Sequence, residues 1–445
     1  MVSIVNTAAV LITLLVATAL PAAGEGPLLT LAQAVELALL HNRELGAAEA
    51  RTELSREVLA EARARRLPRV TLTETVSRTT NPSLVFSNLL GQQAFTEENF
   101  EVQTLNDPSA LDNFRTAVVL DQPLWAGGRL HHGVEAARLA GESAALRHER
   151  TRQEVVGRVI DAYTGAVLAA RQHEVAGDGL ETARANTAVV ADLRAAGLVV
   201  ESDLLQAQLR ESELEEAVVR AVRDVEVGRA ALNMVLGRDL ATPFSLPREI
   251  EPHGDAPGAL DDLLAEARER RPDLRAAASD VESIGHLVQQ ARADRRPEIG
   301  VSGAYEANAE EGPGTDGTNW SVFVGGRFTV FDGQAGRARV RQAGERQREA
   351  REVRESLALA ADLEVRRAFH DLHAAGRRVE HTARAIALAD SSLRVVRDRY
   401  KEGLATWIEL REGETLLTGA RTRNLAARRD LVLADVALDL ALGRL

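Results

Sequence analysis

The side chains with the clearest chemical potential lie in one stretch, "YKEGLATWIELREGE", which runs from Tyr400 to Glu414. Glu409 and Glu412 are three positions apart, so a helix that begins after Gly403 would point both carboxylates in the same direction. Carboxylates gathered from several chains repel one another, favour cations and titrate as a coupled set. A solvated acidic helix face has the same pattern, so the spacing alone leaves both interpretations open.

Histidine pairs form a second group of side chains with ligand-binding chemistry. His370 and His373 share one face of a predicted helix, and His131 and His132 stand near the start of another. Nothing nearby in the sequence completes a set of four metal ligands. We therefore assign these histidines to exposed or structural positions and expect no metal site, with a weak contact to a metal substrate as the alternative.

The sequence contains none of the short motifs that mark common enzymes. There is no serine nucleophile elbow, phosphate-binding loop, dinucleotide fingerprint or HExxH helix. We therefore predict that the protein is not an enzyme and uses no cofactor. The net charge of -12 also argues against nucleic acid as a partner, because phosphate affinity needs clustered basic residues and the arginines here alternate with acids.

Composition and the N-terminal segment indicate an exported, mostly helical protein. Aromatic residues make up only 3% of the 445 residues, whereas Ala, Leu, Val, Arg and Glu dominate. Residues 8–20 form an apolar run followed by small residues, which predicts a signal peptide at 1–24. No Lys or Arg precedes this run, and a buried apolar helix is the alternative. The absence of cysteine excludes a lipid anchor on a cysteine.

The chain aligns with itself in two gapless blocks. The segment that begins at Leu31 matches the segment that begins at Leu260, and residues 125–237 match residues 331–443. Such self-similarity predicts two tandem structural repeats. The first repeat carries extra residues between its two blocks, within 73–124, so we expect a longer loop there.

Proline positions indicate where the helices lie and where the repeats meet. We place the first repeat at 25–242, a linker at 243–257 and the second repeat at 258–445. Residues 124–242 and 314–445 contain no proline, the strongest helix breaker, and leave room for very long helices. At 1.5 Å per residue such helices would reach about 100 Å, which suggests coiled-coil packing.

Four segments change from helical spacing to the alternation of strands. We predict one strand pair per repeat, at about 69–80 and 113–125, and at about 297–307 and 319–331. Each strand has about 10 residues, which suits a tilted membrane strand, and aromatic residues crowd near the strand ends. A small soluble sheet with the same residues in its core is the alternative. Residues 306–319 suit an exposed loop.

Four strands are too few to close a barrel, since even a barrel filled by side chains needs about eight. If these strands lie in lipid, several subunits must pool them, because every backbone polar group needs a partner there. Three copies would supply twelve strands. We therefore expect a homotrimer if the sheet enters a membrane.

Paired sequence motifs carry a resemblance to a known family. "QPLWAGGR" and "FTVFDGQAGR" follow the strands, "GLVVESDLLQAQ" and "GLATWIELREGE" stand at matching turns, and "ALNMVLG" and "ALDLALG" end the repeats. In this order and spacing the chain resembles the TolC-like outer membrane efflux proteins. The resemblance implies a mainly α protein with a small β part, whose trimer forms a 12-stranded β-barrel in outer membrane lipid and a periplasmic tunnel of coiled-coil helices.

The resemblance also implies a function and partners. It implies a channel of a tripartite efflux or type I secretion system, working with a periplasmic adaptor and an inner-membrane transporter. It places two turns, Gly197-Leu198 and Gly403-Leu404, at the periplasmic tip, where an adaptor docks. Ordinary helix C-caps with hydrophobic contacts would explain these turns equally well from the residues alone.

The resemblance further implies a gate at this tip. Glu409 and Glu412 match acidic residues that face the tunnel axis and form its narrowest rings. Asp203 and Tyr400 match an acid and a tyrosine that tie neighbouring helices in the closed state. The third member of that latch is an arginine in the family, whereas this chain has Ala405. We therefore expect an acidic constriction with a different closure.

One other class of function fits the repeats and the long helices. A soluble periplasmic coiled-coil scaffold or adaptor would share both features. Such a protein has no reason to carry strands with an apolar face and aromatic residues at their ends, which favours the channel.

Overall fold

The computed structural model describes residues 26–247 and 258–445. The signal peptide expected at 1–24 and the second part of the expected linker, 248–257, lie outside the described residues. In the described part of the chain, long helices dominate and four strands form one sheet. The mainly α architecture with a small β part is thereby confirmed.

The elements follow one another in the same order in both halves of the chain. The first half contains α1 (Leu31–His41), α2 (Arg43–Ala64), β1 (Arg69–Thr79), α3 (Pro82–Gly91), α4 (Val102–Asn106), β2 (Leu111–Trp125), α5 (Arg129–Ala195) and α6 (Glu201–Val235). The second half contains α7 (Leu260–Arg270), α8 (Pro272–Ala293), β3 (Glu298–Ala309), β4 (Gly317–Arg327), α9 (Ala335–Lys401) and α10 (Trp407–Leu442).

Corresponding helices of the two halves have nearly the same lengths. Helices α1 and α7 have 11 residues each, α2 and α8 have 22, and α5 and α9 have 67. Helix α6 has 35 residues and α10 has 36. This correspondence confirms two tandem structural repeats. The extra residues of the first repeat form α3, a short 3₁₀ turn and α4 between β1 and β2, rather than an open loop.

The described chain divides into two compact units. One contains the residues up to Leu40 together with Val159–Glu251 and Thr382–Arg429, and the other contains His41–Arg158, Pro252–His381 and Asp430–Leu445. The core of the first unit includes Val190, Ala207, Leu393, Trp407, Leu410 and Leu417. The core of the second includes Leu263, Leu264, Ala267, Val365, Ala368, Leu438, Ala441 and Leu442.

The first residues of the expected linker are part of the folded structure. Leu28 and Ser245 form a parallel β-bridge, and the Leu29 amide donates to the Ser245 carbonyl at 2.9 Å. The Tyr163 hydroxyl donates to the Leu29 carbonyl oxygen at 2.8 Å, and Phe244 is buried. The N-terminal segment therefore holds these first residues of the expected linker in place.

The sheet is antiparallel throughout, in the order β1-β2-β3-β4. The central pair, β2 and β3, joins the two repeats. The first three strands lie within a few residues of the segments expected for them. The fourth was expected to reach 331 but ends at Arg327, because its last partner, Glu298, is the first residue of β3.

One face of the sheet is mostly apolar and exposed, with Glu74 and Thr116 as polar exceptions. The register places Leu72 opposite Val118, Val118 opposite Tyr305, and Tyr305 opposite Trp320, so that one row of large side chains crosses all four strands. Exposed apolar residues on this face include Val70, Leu72, Val76, Val118, Leu120, Tyr305, Trp320, Val322 and Val324. In the described chain, nothing covers this band.

The opposite face carries polar pairs. Arg115 and Glu306 form an ion pair between β2 and β3, and the Ser302 hydroxyl donates to the Asp121 carboxylate at 2.8 Å. The alternating positions of β1 on this side carry Thr71, Thr73, Thr75 and Ser77. Phe323 is an apolar exception on this face.

A bulge adjusts the end of β2. The register shifts between Pro123 and Trp125, so that Trp125 lies opposite Ile299 on the apolar face. Proline has no backbone N–H to give to the ladder, and bulges are one of the few places where strands accept it. Among the described residues, no helix is long and apolar enough to cross a membrane.

A buried arginine ties four segments of the second unit together. Arg271, which is 1% exposed, stands between α7 and α8. Its guanidinium donates to both carboxylate oxygens of Asp273, at 3.0 and 2.7 Å, and to Glu364 on α9 at 2.6 Å. It also donates to the Ala441 carbonyl on α10 at 3.3 Å.

Replacing this arginine should be costly. Removing one partner from a buried ion pair leaves an unpaired charge, so Arg271→Met should lower the free energy of unfolding by about 3 to 5 kcal/mol. The matched control is Arg270→Met, whose side chain is 63% exposed and should stay within about 0.5 kcal/mol of the wild type. Thermal unfolding of the detergent-solubilised protein, followed by circular dichroism, measures both. Equal losses in the two variants would contradict the structural role of Arg271.

Candidate functional site

The candidate site lies at the two turns of the first unit, where α5 and α9 end. Gly197 and Gly403 have φ values of +75° and +73°. The Gly197 amide donates to the Arg194 carbonyl at 2.9 Å, and the next amide reaches back to Leu193 at 2.9 Å. This pair of bonds is the Schellman pattern, and its left-handed residue is almost free of strain only when it is glycine. The Gly403 turn repeats the same bonds.

Both turns present an exposed leucine. Leu198 is 71% exposed and Leu404 is 63% exposed. A Cβ atom added at either glycine would meet nothing within 4 Å. Leu198 and Leu404 are therefore exposed apolar tips, and no side chain of the described chain covers them.

The two turns differ in their charged contacts. In the first, Arg194 pairs with Glu201 at the start of α6. In the second, Arg399 donates to the Leu404 carbonyl at 3.0 Å and so ties the turn to the last part of α9. The duplicated turns therefore share a backbone geometry but not a charge pattern.

Glu409 has a local structural role that the sequence interpretation missed. The Thr406 amide donates to Glu409 Oε2 at 2.7 Å, the Thr406 hydroxyl donates to the same oxygen at 3.0 Å, and the Glu409 amide donates to that hydroxyl at 3.3 Å. This is a capping box at the start of α10. These bonds from Thr406, with a smaller contribution from Arg399, hold the pKa of Glu409 below its ordinary value. The sequence does contain a signal for this capping box, because residues 406–409, "TWIE", have the T-x-x-E spacing.

Glu412 is exposed in the following turn of α10. Its carboxylate lies one helical turn beyond Glu409, in agreement with the expected spacing. Because Thr406 occupies one Glu409 oxygen, Glu412 is the less constrained of the two acids.

The structure brings Asp203 and Tyr400 into electrostatic range but does not join them by a hydrogen bond. Burial raises the pKa of the Tyr400 hydroxyl, and the nearby Asp203 carboxylate adds to the rise. The Tyr400 oxygen and the Trp407 indole nitrogen are both buried and have no hydrogen-bond partner among the described residues. Their rings lie 6.3 Å apart at an angle of 60°. Ala405 leaves this pair without a cation two residues after the turn glycine.

Glu414 is the residue that the sequence interpretation did not single out. Its side chain is 12% exposed, and its Oε1 accepts a hydrogen bond from Nδ2 of the Asn186 side chain on α5 at 2.6 Å. Arg397 of α9 lies 4.0 Å away. Burial raises the pKa of Glu414, although Asn186, Arg397 and Arg210 oppose the rise. The sequence offered no signal, because the burial comes from three other helices.

The histidine pairs are separate from this site. His370 and His373 are exposed and contact the Phe369 ring, with centroids 5.4 and 4.5 Å away. His132 instead pairs with His286 across α5 and α8, with the two Nδ1 atoms 3.1 Å apart. Within the described ranges, no three His, Asp or Glu residues are grouped so as to hold a metal ion.

Comparison with known proteins identifies one family over most of the chain. The family model described as outer membrane efflux protein matches residues 34–238 and 263–444, one match per repeat. Protein CyaE of Bordetella pertussis is 28% identical over 347 residues, which cover 74% of this chain and 70% of the relative. The outer membrane efflux protein BepC of Brucella suis is 26% identical over 340 residues, covering 74% and 72%.

A solved structure of similar fold is the CmeC outer membrane channel of Campylobacter jejuni. It superposes with a TM-score of 0.80 and covers 93% of this chain and 85% of that chain, at 17% sequence identity. At this level of identity the likeness establishes the fold.

Glu414 should make stability depend on pH. Because burial raises the pKa of Glu414, the folded protein holds this proton to a higher pH than the unfolded chain does. The stabilisation is complete below the ordinary carboxyl value of 4.5 and is lost as the pH rises through the raised pKa. Glu414→Gln, which keeps an oxygen for Asn186, should remove this loss, so the variant gains stability relative to the wild type as the pH rises.

The measurement is a series of thermal unfolding curves from pH 4.5 upward for the wild type and the variant. Glu402→Gln, at an exposed position in the turn, is the matched control and should run parallel to the wild type. Parallel curves for Glu414→Gln and the wild type would refute the assignment.

Proposed function

This chain belongs to the outer membrane efflux protein family, and we propose that three copies of it form the outer membrane channel of a tripartite efflux or type I secretion system. The protein resides in the outer membrane, with its helical part in the periplasm. In the proposed assembly a periplasmic adaptor and an inner-membrane transporter deliver the substrate, which then passes through the trimer to the exterior. The chain itself is a conduit and carries out no chemical step.

The observation that carries this proposal is the open sheet with one exposed apolar face. Strands β1 and β4 form its two edges, and each has 11 residues. Lipid offers no water to the unpaired amides and carbonyls of an edge, so membrane sheets close on themselves. Because β1 and β4 run in opposite directions, β4 of one copy can pair antiparallel with β1 of the next. Three copies then close a ring of twelve strands.

The two faces of the sheet fit such a ring. The apolar face would contact lipid and the polar face, with Arg115, Glu306, Asp121 and Ser302, would line the lumen. Ile299 and Tyr305 stand six positions apart on β3, which is about 20 Å at 3.3 Å per residue. Two aromatic levels follow from this spacing and suit the two membrane interfaces. Trp125 lies opposite Ile299 at one level, and Trp320 lies opposite Tyr305 at the other.

Glu409 and Glu412 are the proposed gate acids. In a trimer they bring six carboxylates to one level, and two such charges about 5 Å apart repel by roughly 3 kcal/mol at an effective dielectric near 20. The capping bonds of Thr406 hold Glu409 Oε2 against the start of α10, so Glu412 is the acid whose carboxylate is free to extend into the constriction. Asp203 and Tyr400 are the proposed closing contact, since the buried Tyr400 hydroxyl has no acceptor of its own.

The exposed leucine tips are the proposed adaptor-docking points. Gly197 and Gly403 hold Leu198 and Leu404 away from the bodies of the helices. An apolar side chain on a rigid turn can enter a groove on another protein without any rearrangement of the turn.

A soluble scaffold, the other candidate function, is disfavoured because the apolar face of the sheet would then be exposed to water.

Cell fractionation and a matched pair of arginine substitutions test the channel. Heat-modifiable trimers should be found in the outer membrane, and release with the periplasmic contents would refute the proposal. Leu72→Arg places a charge on the proposed lipid face and should destabilise the sheet by about 2 to 4 kcal/mol, with loss of trimers. Thr73→Arg, the neighbour on the proposed lumen face, should leave the trimer intact. Equal trimer yields would contradict the assignment of the faces.

Single-channel recording in planar bilayers tests the gate. Glu412→Gln removes a charge per copy and should raise conductance and reduce cation selectivity, because a narrow acidic ring both repels anions and binds cations. The control is Glu402→Gln, an exposed acid on the turn outside α10, which should leave both values unchanged. Adding Glu409→Gln should have a smaller effect on selectivity than Glu412→Gln. Unchanged conductance and selectivity would exclude the acidic gate.

A further inference from the structure

The extra residues between β1 and β2, which we name the outer insertion (residues 80–110), lie against one particular face of the sheet. A Cβ atom added at Gly317 of β4 would stand 2.0 Å from the Gly91 carbonyl oxygen and 2.6 Å from the Gln92 carbonyl carbon. Gly317 pairs with Asn308, on the face that carries Glu306 and Ser302. The end of α3 therefore rests directly on the polar face.

A buried network of amide side chains fixes this position. Gln92 Nε2 donates to Asn113 Oδ1 at 3.0 Å and to the Asp112 carbonyl at 2.8 Å, and Asn113 Nδ2 donates to Asn308 Oδ1 at 3.1 Å. Gln92, Asn113 and Asn308 are 3%, 3% and 4% exposed. Gln92 Oε1 is buried with no partner among the described residues. Displacing Gln92 would also remove the partners of its buried Nε2 group and of Asn113 Oδ1, so these bonds hold the end of α3 in place.

The outer insertion has a small core of its own. Phe95 stacks edge-on against Phe86 at 5.0 Å and against Phe100 at 5.1 Å, and Val85 is buried. Aromatic pairs in this geometry contribute beyond the area that they bury. The insertion is therefore a folded element anchored to the sheet rather than an open loop.

The position along the sheet places the insertion at the outer end. It connects the end of β1 at Thr79 to the start of β2 at Leu111, whereas the opposite end of β2 leads through Trp125 into the long helix α5. Since the long helices lie on the periplasmic side of the proposed channel, the insertion lies on the exterior side. Its charged residues are all acidic: Glu97, Glu98, Glu101 and Asp107.

From these observations we infer that the outer insertion forms a second constriction, on the lumen side of the outer end of the barrel, that selects solutes by size and favours cations. The inference rests on the proposed trimeric channel, whose lumen the polar face would line. Three insertions then narrow the exit, held there by the Gln92–Asn113–Asn308 network. The constriction acts through residues other than Glu409 and Glu412.

Cysteine labelling from outside the cell tests this constriction independently of the periplasmic gate. The chain contains no cysteine, so a single substitution gives an unambiguous signal. Ala304→Cys places a thiol on the polar face, opposite Val119 and Ser321. Gln103→Cys, at an exposed position of α4, reports access to the outer surface. Intact cells are treated with a small maleimide or with one carrying a polyethylene glycol chain of about 5 kDa, which is too large for a narrow pore.

We expect the small reagent to label both thiols and the large reagent to label only Gln103→Cys. Replacing residues 82–108 by a short Gly-Ser turn, in the Ala304→Cys background, should raise labelling by the large reagent at least about tenfold while trimers persist. If that deletion fails to assemble, Gln92→Ala is the second variant, since it removes the anchor but keeps the insertion and should give an increase in the same direction. Gln93→Ala, which loses only a 3.4 Å bond to the Thr318 carbonyl, is its matched control and should change labelling less.

Equal labelling of Ala304→Cys and Gln103→Cys by the large reagent in the otherwise unchanged protein would overturn the constriction and leave the channel standing. If the small reagent fails to reach Ala304→Cys in intact cells but labels it after the cells are broken, the proposed channel itself fails. For the charge, a small cationic thiol reagent should label Ala304→Cys at least about threefold faster than an anionic one. Joint Glu97→Gln and Glu98→Gln substitution should lower that ratio, and an unchanged ratio would refute the role of these acids.

Discussion

Every backbone hydrogen-bonding group needs a partner, and the proposed assembly of this protein depends on how the sheet meets that requirement. A helix satisfies its own amides and carbonyls, but a sheet of four strands leaves one row unpaired on β1 and another on β4. In water such edges are tolerable, whereas in lipid they are not. The equal lengths of the edge strands, their opposite directions and the mostly apolar face all agree with pairing between copies.

Duplication gives the chain two nearly equal repeats, and the proposed gate acids and the insertion lie where the two repeats differ. The matching helices have the same lengths to within one residue, and both long helices end in the same glycine turn. The second turn is followed by Glu409 and Glu412, whereas the first is followed by Glu201 and Asp203, and only the first strand pair carries an insertion. In a trimer six similar repeats would alternate around the axis, with three bearing Glu409 and Glu412 and three bearing the insertion.

At the second turn, a residue that caps a helix is also a residue of the proposed gate. The same Glu409 that matches a gate acid also caps α10 through Thr406, so its carboxylate is held in place by two hydrogen bonds. Family resemblance predicts an arginine where Ala405 stands, and the turn instead uses Arg399, which binds the Leu404 carbonyl. Further along α10, Glu414 is buried against Asn186 of α5, a contact between helices from different repeats. The proposed gate thus has contacts available that do not depend on position 405.

The sequence by itself determined the features that depend on residues close together in the chain. Proline-free segments predicted the long helices, because an uninterrupted helix needs only local backbone bonds. Alternation predicted the strands, and Gly197 and Gly403 predicted the turns, because φ > 0 is a property of one residue. The spacing of Thr406 and Glu409 also contains the capping box, because this motif depends on residues three positions apart.

Only the tertiary structure decided what depends on residues that are far apart in the chain. The pairing of β2 with β3 fixes which side chains share a face, and a shift of one residue would exchange the faces. The sequence pattern does not show the bulge at Pro123, the bonds that link Gln92 through Asn113 to Asn308, or the burial of Glu414 by other helices. Burial and hydrogen bonding at these positions are set by partners that the chain brings together only when it folds.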